Sequence, residues 1–594
     1  MQYVRPYPPF KCGRPQSYLT YLDHQGYLHR NESGMKESGI SAGDLQCSYQ
    51  EIVRCNHTDD KVVHLPRVIF EYPVQINSDF VLVKCYQLPF LRLVYETAHA
   101  YIAFPESKGL NPILNDPNVT PKSDVEKRNR PSVLIIVFDS MSRLNFIRQL
   151  SKTYAFLTDK MDAVVFKGLT KTGDNTYPNI LPMLSGLGAY EHLYAEDLQK
   201  GEKLWVPIWG GKKARYGSFD AVPLVWKNFT EAGYITMFAE DLPEYAIFNY
   251  LSKGFLEQPT DYYMRPFWLV MDNITHFKSS DNRCYGNIPR HTFLYNYTEE
   301  FVTKMSNYSY FAFSFLTQMS HDYLNLIKLL DHDIESMLKR FFNGPSLSNT
   351  ITIVMGDHGN RFDAIRSTVI GRVEERMPFF SIVLPESLKK SHPHLQHGLK
   401  ANRETLLSWF DIYELLMDIA MDNLGEVSEV KRWGVIGLSP FRPIPKNRTC
   451  RDVAVPRTYC VCGAEKEIDP KDSHAVVAAE TLINHVNNML KSHGAGDKCA
   501  ELTLKKVLSA QVLLPSKPVV SPNNLVLEVR VTIETTPGGA RLEGVVERSA
   551  WSDDGGRVIG DVNRINKYGN QSYCVEDLVA KLFCYCNSFV KAGP

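Results

Sequence analysis

The 594-residue sequence predicts an α/β protein. At its centre we expect a doubly wound, mostly parallel sheet, flanked by β-rich, cysteine-containing modules at the N- and C-terminal ends. Three observations predict this arrangement: continuous β-branched apolar runs in the middle of the chain, helical patterns between those runs, and cysteines gathered near both ends. We expect the boundaries to divide the chain into residues 1–128, 129–445 and 446–594.

The first part, residues 1–128, contains short β-type runs such as "RVIFEYPV" and "FVLVKCYQL", separated by turns and cysteines. The stretch 111–131, "NPILNDPNVTPKSDVEKRNRP", is polar and broken by prolines. It therefore predicts a linker that leads into the next part.

The central part alternates apolar runs with amphipathic patterns. The runs are "PSVLIIVFDS", "YITMFAED", "YFAFSFLTQMSHD", "NTITIVMGDHG" and "MPFFSIVLP". Such runs are typical of strands that are covered on both faces of a parallel sheet. Between and after them, "YLNLIKLLDHDIESMLKRFF" and "ETLLSWFDIYELLMDIAMDNL" space their apolar residues at helical intervals. Alternating strands and helices predict the doubly wound sheet.

The last part is rich in cysteine again. It has a helical pattern near residues 474–491, followed by the strand patterns "NLVLEVRVTIETT" and "ARLEGVVERSAW". We find no internal repeat in the chain.

The distribution of cysteines predicts an oxidising compartment. Four of the twelve lie near the start, seven near the end, and Cys284 stands alone in the middle. Reduced, scattered thiols are the alternative, and the C-x-C pairs in "YCVC" and "FCYC" also allow a zinc interpretation, although C-x-x-C is the stronger zinc signal. Because the tail has an odd number of cysteines, we expect Cys284 to pair with one of them.

Glycosylation signals also favour the extracellular space or the lumen of the secretory pathway. The Asn-X-Ser/Thr sequons are at Asn31, Asn56, Asn118, Asn228, Asn273, Asn296, Asn307, Asn447 and Asn570. The N-terminus lacks the apolar core of a signal peptide, and we see no apolar run of about 18 residues. We therefore expect a signal or membrane anchor upstream of Met1. Zero formal net charge gives no reason to expect nucleic acid as a partner.

The predicted strands end in potential metal ligands. These residues are Asp139, Glu240, Asp241, His321, Asp322, Asp357 and His358. Ligands of open α/β sheets gather beyond the carboxyl ends of the strands, and carboxylate and imidazole groups suit zinc, manganese or a similar divalent ion. A single acidic residue after a strand also caps helices, which is the alternative interpretation for each position alone.

A hydroxyl stands at a predicted helix start in "GDNTYPNILPMLSG", residues 173–186. Thr176 precedes Pro178 in the first turn, where backbone N–H groups and the helix dipole favour an anion such as phosphate or sulfate. A divalent cation would lower the pKa of the hydroxyl and make Thr176 a nucleophile. The alternative is that Thr176 only caps the helix.

These residues resemble, in order along the chain, the alkaline-phosphatase-like superfamily of phosphatases, phosphodiesterases, sulfatases and lipid-headgroup phosphotransferases. The motifs are "FDS", "NTYPN" and "MGDHGN". The wider context is similar to the animal domain-of-unknown-function family 229 over essentially the whole chain. That second comparison rests on "FDSMSRLNFIRQL", "GDNTYPN", "MSHDYLN", "GRVEERMPF", "KANRETL" and "YCVCG".

The resemblance implies that Asp139, Thr176, Asp357 and His358 hold one metal ion, with Thr176 as the nucleophile. It implies that His321 completes a second metal site or contacts substrate, so one or two ions, zinc or manganese, are expected. A second ligand set is not evident. Asp322 is one candidate for it, and His392, His394 and His397 are others, although we expect those three on a surface loop. Asn179 is a candidate substrate contact, and Asn175 and Arg143 are further candidates.

Together these features predict a metal-dependent phosphoester hydrolase or phosphotransferase. Its substrate would be a phosphoester or sulfoester, with a lipid headgroup or a glycan as candidate organic parts. Sulfatases need Cys or Ser, then Pro and Arg two and four residues later, whereas this chain has Thr176, Pro178 and Ile180. A sulfatase-like ester hydrolase and an inactive secreted binding protein on the same fold remain the alternatives.

Overall fold

A computed structural model describes residues 3–9, 11–13, 17–110, 130–188, 218–250, 252–274, 283–425, 436–514, 526–549, 556–567 and 569–591. Most of the predicted linker and the sequon at Asn118 lie outside these residues. Among the residues described, no helix has both the length and the apolar character needed to cross a membrane.

The central sheet has seven strands. In spatial order they are Val164–Val165, Phe380–Val383, Thr350–Gly356, Ser132–Phe138, Tyr310–Leu316, Ile235–Glu240 and Tyr262–Tyr263. The five strands from Thr350–Gly356 to Tyr262–Tyr263 are parallel to one another. Phe380–Val383 runs antiparallel to both strands beside it. The predicted, mostly parallel α/β sheet is confirmed.

Helices cover both faces of this sheet, because side chains alternate along each buried strand. Val133, Ile135 and Val137 point into one core and Leu134, Ile136 and Phe138 into the other. The first core is closed by helices Tyr177–Ser185, Val225–Glu231, Glu386–Ser391, Pro393–Ala401 and Trp409–Ala420. The second is closed by helices Arg143–Gln149, Ser151–Asp159, Arg265–Met271, Arg290–Lys304 and Asp331–Asn343. The short helix Val369–Arg376 and the hairpin of Cys284–Tyr285 and Ile288–Pro289 complete the region.

The N-terminal residues form two small sheets beside a short helix, Glu32–Glu37. One sheet contains Thr20–Leu22, Tyr27–Arg30 and Val74–Gln75. The other contains Leu45–Arg54, Val62–His64, Val68–Phe70, Phe80–Gln87 and Arg92–Ala100. Ile52, Phe80 and Leu82 share a core with Phe267 of the central region. This module therefore packs directly on the central sheet's second layer, and its boundary at residue 128 stays a prediction.

The C-terminal residues form a five-stranded antiparallel sheet. Its strands are Glu465–Ile468, Thr503–Leu513, Val526–Thr536, Arg541–Ser549 and Arg557–Arg564. Helix Ser473–Ser492 covers one face, burying Leu482 and Val486 against Val531 and Ile533. Two short helices, Leu578–Phe583 and Asn587–Lys591, follow. The predicted boundary at residue 445 likewise stays a prediction.

Disulfides account for most of the cysteines. The pairs are Cys12–Cys284, Cys47–Cys85, Cys450–Cys460, Cys499–Cys584 and Cys574–Cys586. The expected pairing of Cys284 with the tail is wrong, because the chain's start reaches the hairpin at Cys284 and Cys462 is the tail cysteine left free. Three of the four cysteines in "YCVC" and "FCYC" are in disulfides and Cys462 is free, so neither motif offers a pair of thiolates to zinc.

Candidate metal centre and active-site pocket

Three predicted ligands converge at the carboxyl edge of the central sheet. Strands Ser132–Phe138 and Thr350–Gly356 run parallel with Phe138 opposite Gly356, so the residues that follow them emerge side by side. Asp139, Asp357 and His358 each place one potential ligand atom within 4.8 Å of the others. All three side chains are buried. Gly356 allows this close approach, since a Cβ there would lie 2.1 Å from the Met141 carbonyl oxygen.

The cluster leaves two buried lone pairs facing each other. Oδ2 of Asp357 lies 3.3 Å from Nε2 of His358, and neither atom has a hydrogen-bond partner in the described part of the chain. Nδ1 of His358 donates to the Gly359 carbonyl at 2.8 Å, so Nε2 carries the free lone pair. Two buried acceptors in contact are unfavourable without a cation between them. The residues therefore fit a divalent ion such as zinc or manganese.

Burial shifts the pKa of every member of the cluster. Burial and the nearby charge of Asp139 together raise the pKa of Asp357 to about 8. Burial also raises the pKa of Asp139 and lowers that of His358. Burial favours a neutral imidazole and makes two adjacent carboxylate charges unfavourable. A bound cation would stabilise those charges.

Thr176 joins this cluster through its hydroxyl group. It precedes helix Tyr177–Ser185, yet its side chain makes no capping hydrogen bond. The hydroxyl lies close enough to the carboxylate of Asp357 to oppose the rise that burial causes in the pKa of that group. Thr176 also lines a pocket of about 650 Å³ together with Asp139. The capping interpretation therefore does not describe this threonine, whose hydroxyl faces the candidate metal ligands.

His321 and Asp322 lie on the wall of the same pocket. Nδ1 of His321 is 3.2 Å from Oδ1 of Asp322. Burial alone would lower the pKa of His321, but the charges of Asp139 and Asp322 outweigh it and raise the pKa. His321 stands outside the three-residue cluster, and it comes five residues after the strand Tyr310–Leu316 ends. Its placement suits contact with a substrate in the pocket.

Asn179 has a different task from the substrate contact that we expected. It is fully buried and does not line the pocket. Its Oδ1 accepts from the backbone N–H of Thr172 at 2.7 Å, and its Nδ2 donates to the Asn175 carbonyl at 2.7 Å. The Asn179 amide therefore holds the turn that presents Thr176. Asn175 itself lines the pocket, whereas Arg143 does not.

Two further strand-end residues are structural. The Asp241 carboxylate accepts from the backbone N–H of Thr317 at 2.7 Å, and that of Glu240 accepts from Ile247 at 2.9 Å. Neither lines the pocket. Because both carboxylates order neighbouring loops, the expectation that this strand end joins the metal site is wrong.

The histidines considered for a second ion lie elsewhere. His392, His394 and His397 sit at helix Pro393–Ala401 and do not line the pocket. Nε2 of His394 lies 2.8 Å from the Leu424 carbonyl. Within the described ranges, Asp139, Asp357 and His358 form the one metal-type group that contains no cysteine.

The pocket has cationic residues that the sequence did not single out. Arg361 lies beside the cluster, and its Nη1 donates to Asp174 at 2.7 Å. Lys567 and Lys581 enter the pocket from the C-terminal module. The position of Arg361 just after "MGDHGN" was a usable signal, but nothing local to the two lysines marks them as site residues.

Comparisons place the chain among known proteins. The profile of a family described as "Protein of unknown function (DUF229)" matches residues 6–508, which confirms the resemblance to that family. No curated protein sequence matches the chain. Similar solved structures include the zinc complex of the C-terminal periplasmic domain of EptC from Escherichia coli, with 13% identity over 57% of this chain and 92% of that chain and a TM-score of 0.35.

Two further solved structures show the same low level of likeness. An alkaline phosphatase superfamily protein from Vibrio parahaemolyticus has 12% identity over 77% of this chain and 86% of that chain, with a TM-score of 0.36. The lipoteichoic acid synthase LtaP from Listeria monocytogenes has 12% identity over 48% of this chain and 71% of that chain, with a TM-score of 0.28. Likeness at this level does not define the chemistry of the present site.

Proposed function

The chain belongs to the family described as proteins of unknown function (DUF229), and we propose from its site that it is a metal-dependent phosphoester hydrolase or phosphotransferase with Thr176 as nucleophile. One observation carries this proposal. The hydroxyl of Thr176 shares a pocket with Asp139 and lies close to the buried carboxylate of Asp357. Oδ2 of Asp357 and Nε2 of His358 have no hydrogen-bond partner among the described residues, as expected of atoms that bind a cation. A threonine that only capped a helix would not need buried ligand atoms beside its hydroxyl.

The residues divide the chemistry among them. Asp139, Asp357 and His358 would hold the ion, which supplies positive charge that lowers the pKa of the Thr176 hydroxyl and neutralises phosphoryl oxygens. Oγ1 of Thr176 loses its proton to solvent and attacks phosphorus, so an O–P bond forms to Thr176 while the bond to the leaving oxygen breaks and that oxygen takes a proton from solvent. Water or an acceptor alcohol then attacks the phosphothreonine and restores the hydroxyl. We assign Arg361 and His321 to contacts with substrate oxygens.

Compartment and substrate follow the same reasoning. Five disulfides form among the described residues, which supports an extracellular or secretory-pathway location. The sequon asparagines at positions 56, 273, 296, 307 and 447 are exposed and do not line the pocket, so glycans could be attached there. A pocket of about 650 Å³ admits an organic group as large as a lipid headgroup or a sugar beside the scissile phosphoester.

The experiment is turnover of bis-p-nitrophenyl phosphate by the full-length chain supplied with Zn²⁺ or Mn²⁺. We expect Thr176→Ala to lower kcat by at least about 10³-fold, with Thr176→Ser retaining part of the activity. Thr158→Ala is the matched control, because Thr158 is on the outer helix Ser151–Asp159 and should leave turnover unchanged. Mass spectrometry of acid-quenched protein should detect phosphate on Thr176.

Three results would contradict the proposal. Full activity in Thr176→Ala would remove the assigned nucleophile. Faster turnover of p-nitrophenyl sulfate than of the phosphate ester would favour the sulfatase-like alternative. No turnover of any ester by the metal-loaded chain would favour an inactive binding protein.

A further inference from the structure

Part of the pocket is lined by residues of the C-terminal module. We call the residues Arg564, Lys567, Tyr573 and Lys581 the C-terminal wall, since all four line the pocket that contains Asp139 and Thr176. The family profile ends at residue 508, so the whole of this wall lies beyond the matched residues. It is a feature of this chain that the catalytic motifs do not explain.

The basic side chains of this wall differ in the hydrogen bonds and ion pairs that they make within the protein. The guanidinium of Arg564 is buried and donates to the Leu582 carbonyl at 3.1 Å and to Gln571 at 3.0 Å, so it holds the wall together. Nζ of Lys567 lies 3.0 Å from Oδ1 of Asp322, the carboxylate that also contacts His321. Lys567 therefore links the C-terminal wall to the central region next to the proposed site.

Lys581 is the cation that the protein leaves available. It is half-buried on helix Leu578–Phe583. Within the residues that the structure describes, its ammonium group has no hydrogen bond or ion pair. The pocket's acidic side chains are Asp139 and Asp322. The first belongs to the proposed metal cluster and the second is neutralised by Lys567, so the charge of Lys581 is uncompensated.

Disulfides and a helix cap fix the backbone of the C-terminal wall. Disulfides Cys499–Cys584 and Cys574–Cys586 tie the segment around Lys581 to the rest of the module. The Asp577 carboxylate caps the helix by accepting from the Ala580 N–H at 2.9 Å. Because the backbone that carries Lys581 is tied down, binding an anion would cost mainly the conformational entropy of the lysine side chain.

Aromatic rings line the space between the two sides. Tyr245 from the central region is 52% exposed and Tyr573 from the C-terminal wall is 61% exposed, and both line the pocket. Exposed rings at a pocket suit the flat face of a sugar or another ring. The organic part of the substrate would therefore lie across these rings, with one end at Thr176 and the other near Lys581.

We propose that Lys581, supported by Lys567, is a second anion subsite, so that preferred substrates carry a carboxylate, sulfate or phosphate group in addition to the scissile phosphoester. This inference rests on the proposed function, which it deepens by naming the substrate class. It gives the C-terminal module a direct part in specificity.

Binding to the zinc-loaded full-length chain tests the subsite without turnover. The probes are benzylphosphonate and para-carboxybenzylphosphonate, compared by titration calorimetry. One well-placed charged hydrogen bond should make the carboxylated compound bind about tenfold more tightly. Lys581→Gln should abolish this preference without changing the affinity for benzylphosphonate, and Lys581→Arg should keep it. Lys466→Gln is the matched control on the exposed strand Glu465–Ile468 and should change neither affinity.

Equal affinity of the parent chain for both phosphonates would overturn the proposal. So would a preference that survives in Lys581→Gln. Turnover of p-nitrophenyl phenyl phosphate and of its para-carboxyphenyl analogue separates the two claims. If neither ester is hydrolysed but the phosphonate preference depends on Lys581, the proposed function fails and the subsite stands. If both are hydrolysed with equal kcat/KM and the phosphonates bind equally, the function stands and the subsite fails.

Discussion

Replacing Glu543 by glutamine should loosen the C-terminal module, because this carboxylate is the centre of a buried cluster of arginines. Its Oε1 lies 3.1 Å from Nη2 of Arg366 and 2.6 Å from Nη2 of Arg376, both in the central region. The three side chains are at most 3% exposed. Burial by itself raises the pKa of Glu543, but the surrounding arginines outweigh it and hold the pKa below its usual range.

The structure sets the size of the effect. In Glu543→Gln both guanidinium groups stay buried, and the remaining carboxylate near them, that of Glu375, lies 3.6 Å from Arg366 and 3.9 Å from Arg376. Removing one partner of a buried ion pair costs about 3–5 kcal/mol. The same strand offers a matched control in Glu547→Gln, whose 2.9 Å pair with Arg557 is exposed. An exposed pair contributes at most about 1 kcal/mol.

Native-state hydrogen exchange measures this locally. Peptides from strand Arg541–Ser549 should show the loss of about 3–5 kcal/mol of protection in Glu543→Gln and a change below about 1 kcal/mol in Glu547→Gln. Because the pKa of Glu543 is depressed in the folded chain, its stabilisation is present above the ordinary value of 4.5 and is lost as the pH falls. The difference between the parent and the glutamine variant should therefore shrink in acid.

Two outcomes would refute the reasoning. If both variants change protection by the same small amount, the arginine cluster does not hold the module in place. If Glu543→Gln is strongly destabilised but the difference grows in acid, the carboxylate is not the stabilising charge.

Three further predictions concern the metal, the pH and the glycans. Zinc at about 100 times its Kd should stabilise the parent chain by about 2.7 kcal/mol in thermal melts, and His358→Ala should abolish this while His394→Ala keeps it; stabilisation that persists in His358→Ala would contradict the metal assignment. Burial raises the pKa of Glu240 from 4.5 to about 8, so the folded parent loses stability as pH rises through that window. In urea unfolding, the free energy of unfolding of Glu240→Gln should rise relative to that of the parent by at most about 1.4 kcal/mol for each pH unit in this window. A difference between the two proteins that does not change with pH would contradict this. Secreted Asn447→Gln should lose one enzymatically removable glycan by mass spectrometry, because Asn447 is exposed and does not line the pocket, and an unchanged glycan mass would exclude that site.

The local pattern was enough to predict the central strands and to place candidate ligands at their ends, and the family resemblance selected Asp139, Asp357 and His358 among them. The runs before Asp139 and Asp357 consist of apolar and β-branched residues with no charged side chain, which indicates burial on both faces. Parallel strands bring their carboxyl ends to one edge, and that topological rule alone places Asp139 near Asp357 and His358. The same rule was wrong for Asp241, because its carboxylate turns back to bind the backbone of Thr317.

Other features depend on contacts between distant segments. Cys12 and Cys284 are 272 residues apart, and no local pattern shows that the chain's start returns to that hairpin. The direction of Phe380–Val383 and the placement of Asn179 behind the Thr176 turn are likewise results of packing. Glycine, proline and hydrophobic spacing report local conformation, and they carry no information about which surfaces meet.

The amino-acid sequence by itself determined where the buried strands lie, which acids and histidines follow them, and that a threonine stands at a helix start. The tertiary structure decided which of those groups share one dry site, and that lysines from the far end of the chain form its opposite wall. The physical reason is range. Strand and helix patterns arise from neighbouring residues, whereas the presence of Lys581 and Thr176 in one pocket depends on how the C-terminal module packs on the central region, in part through the buried cluster around Glu543.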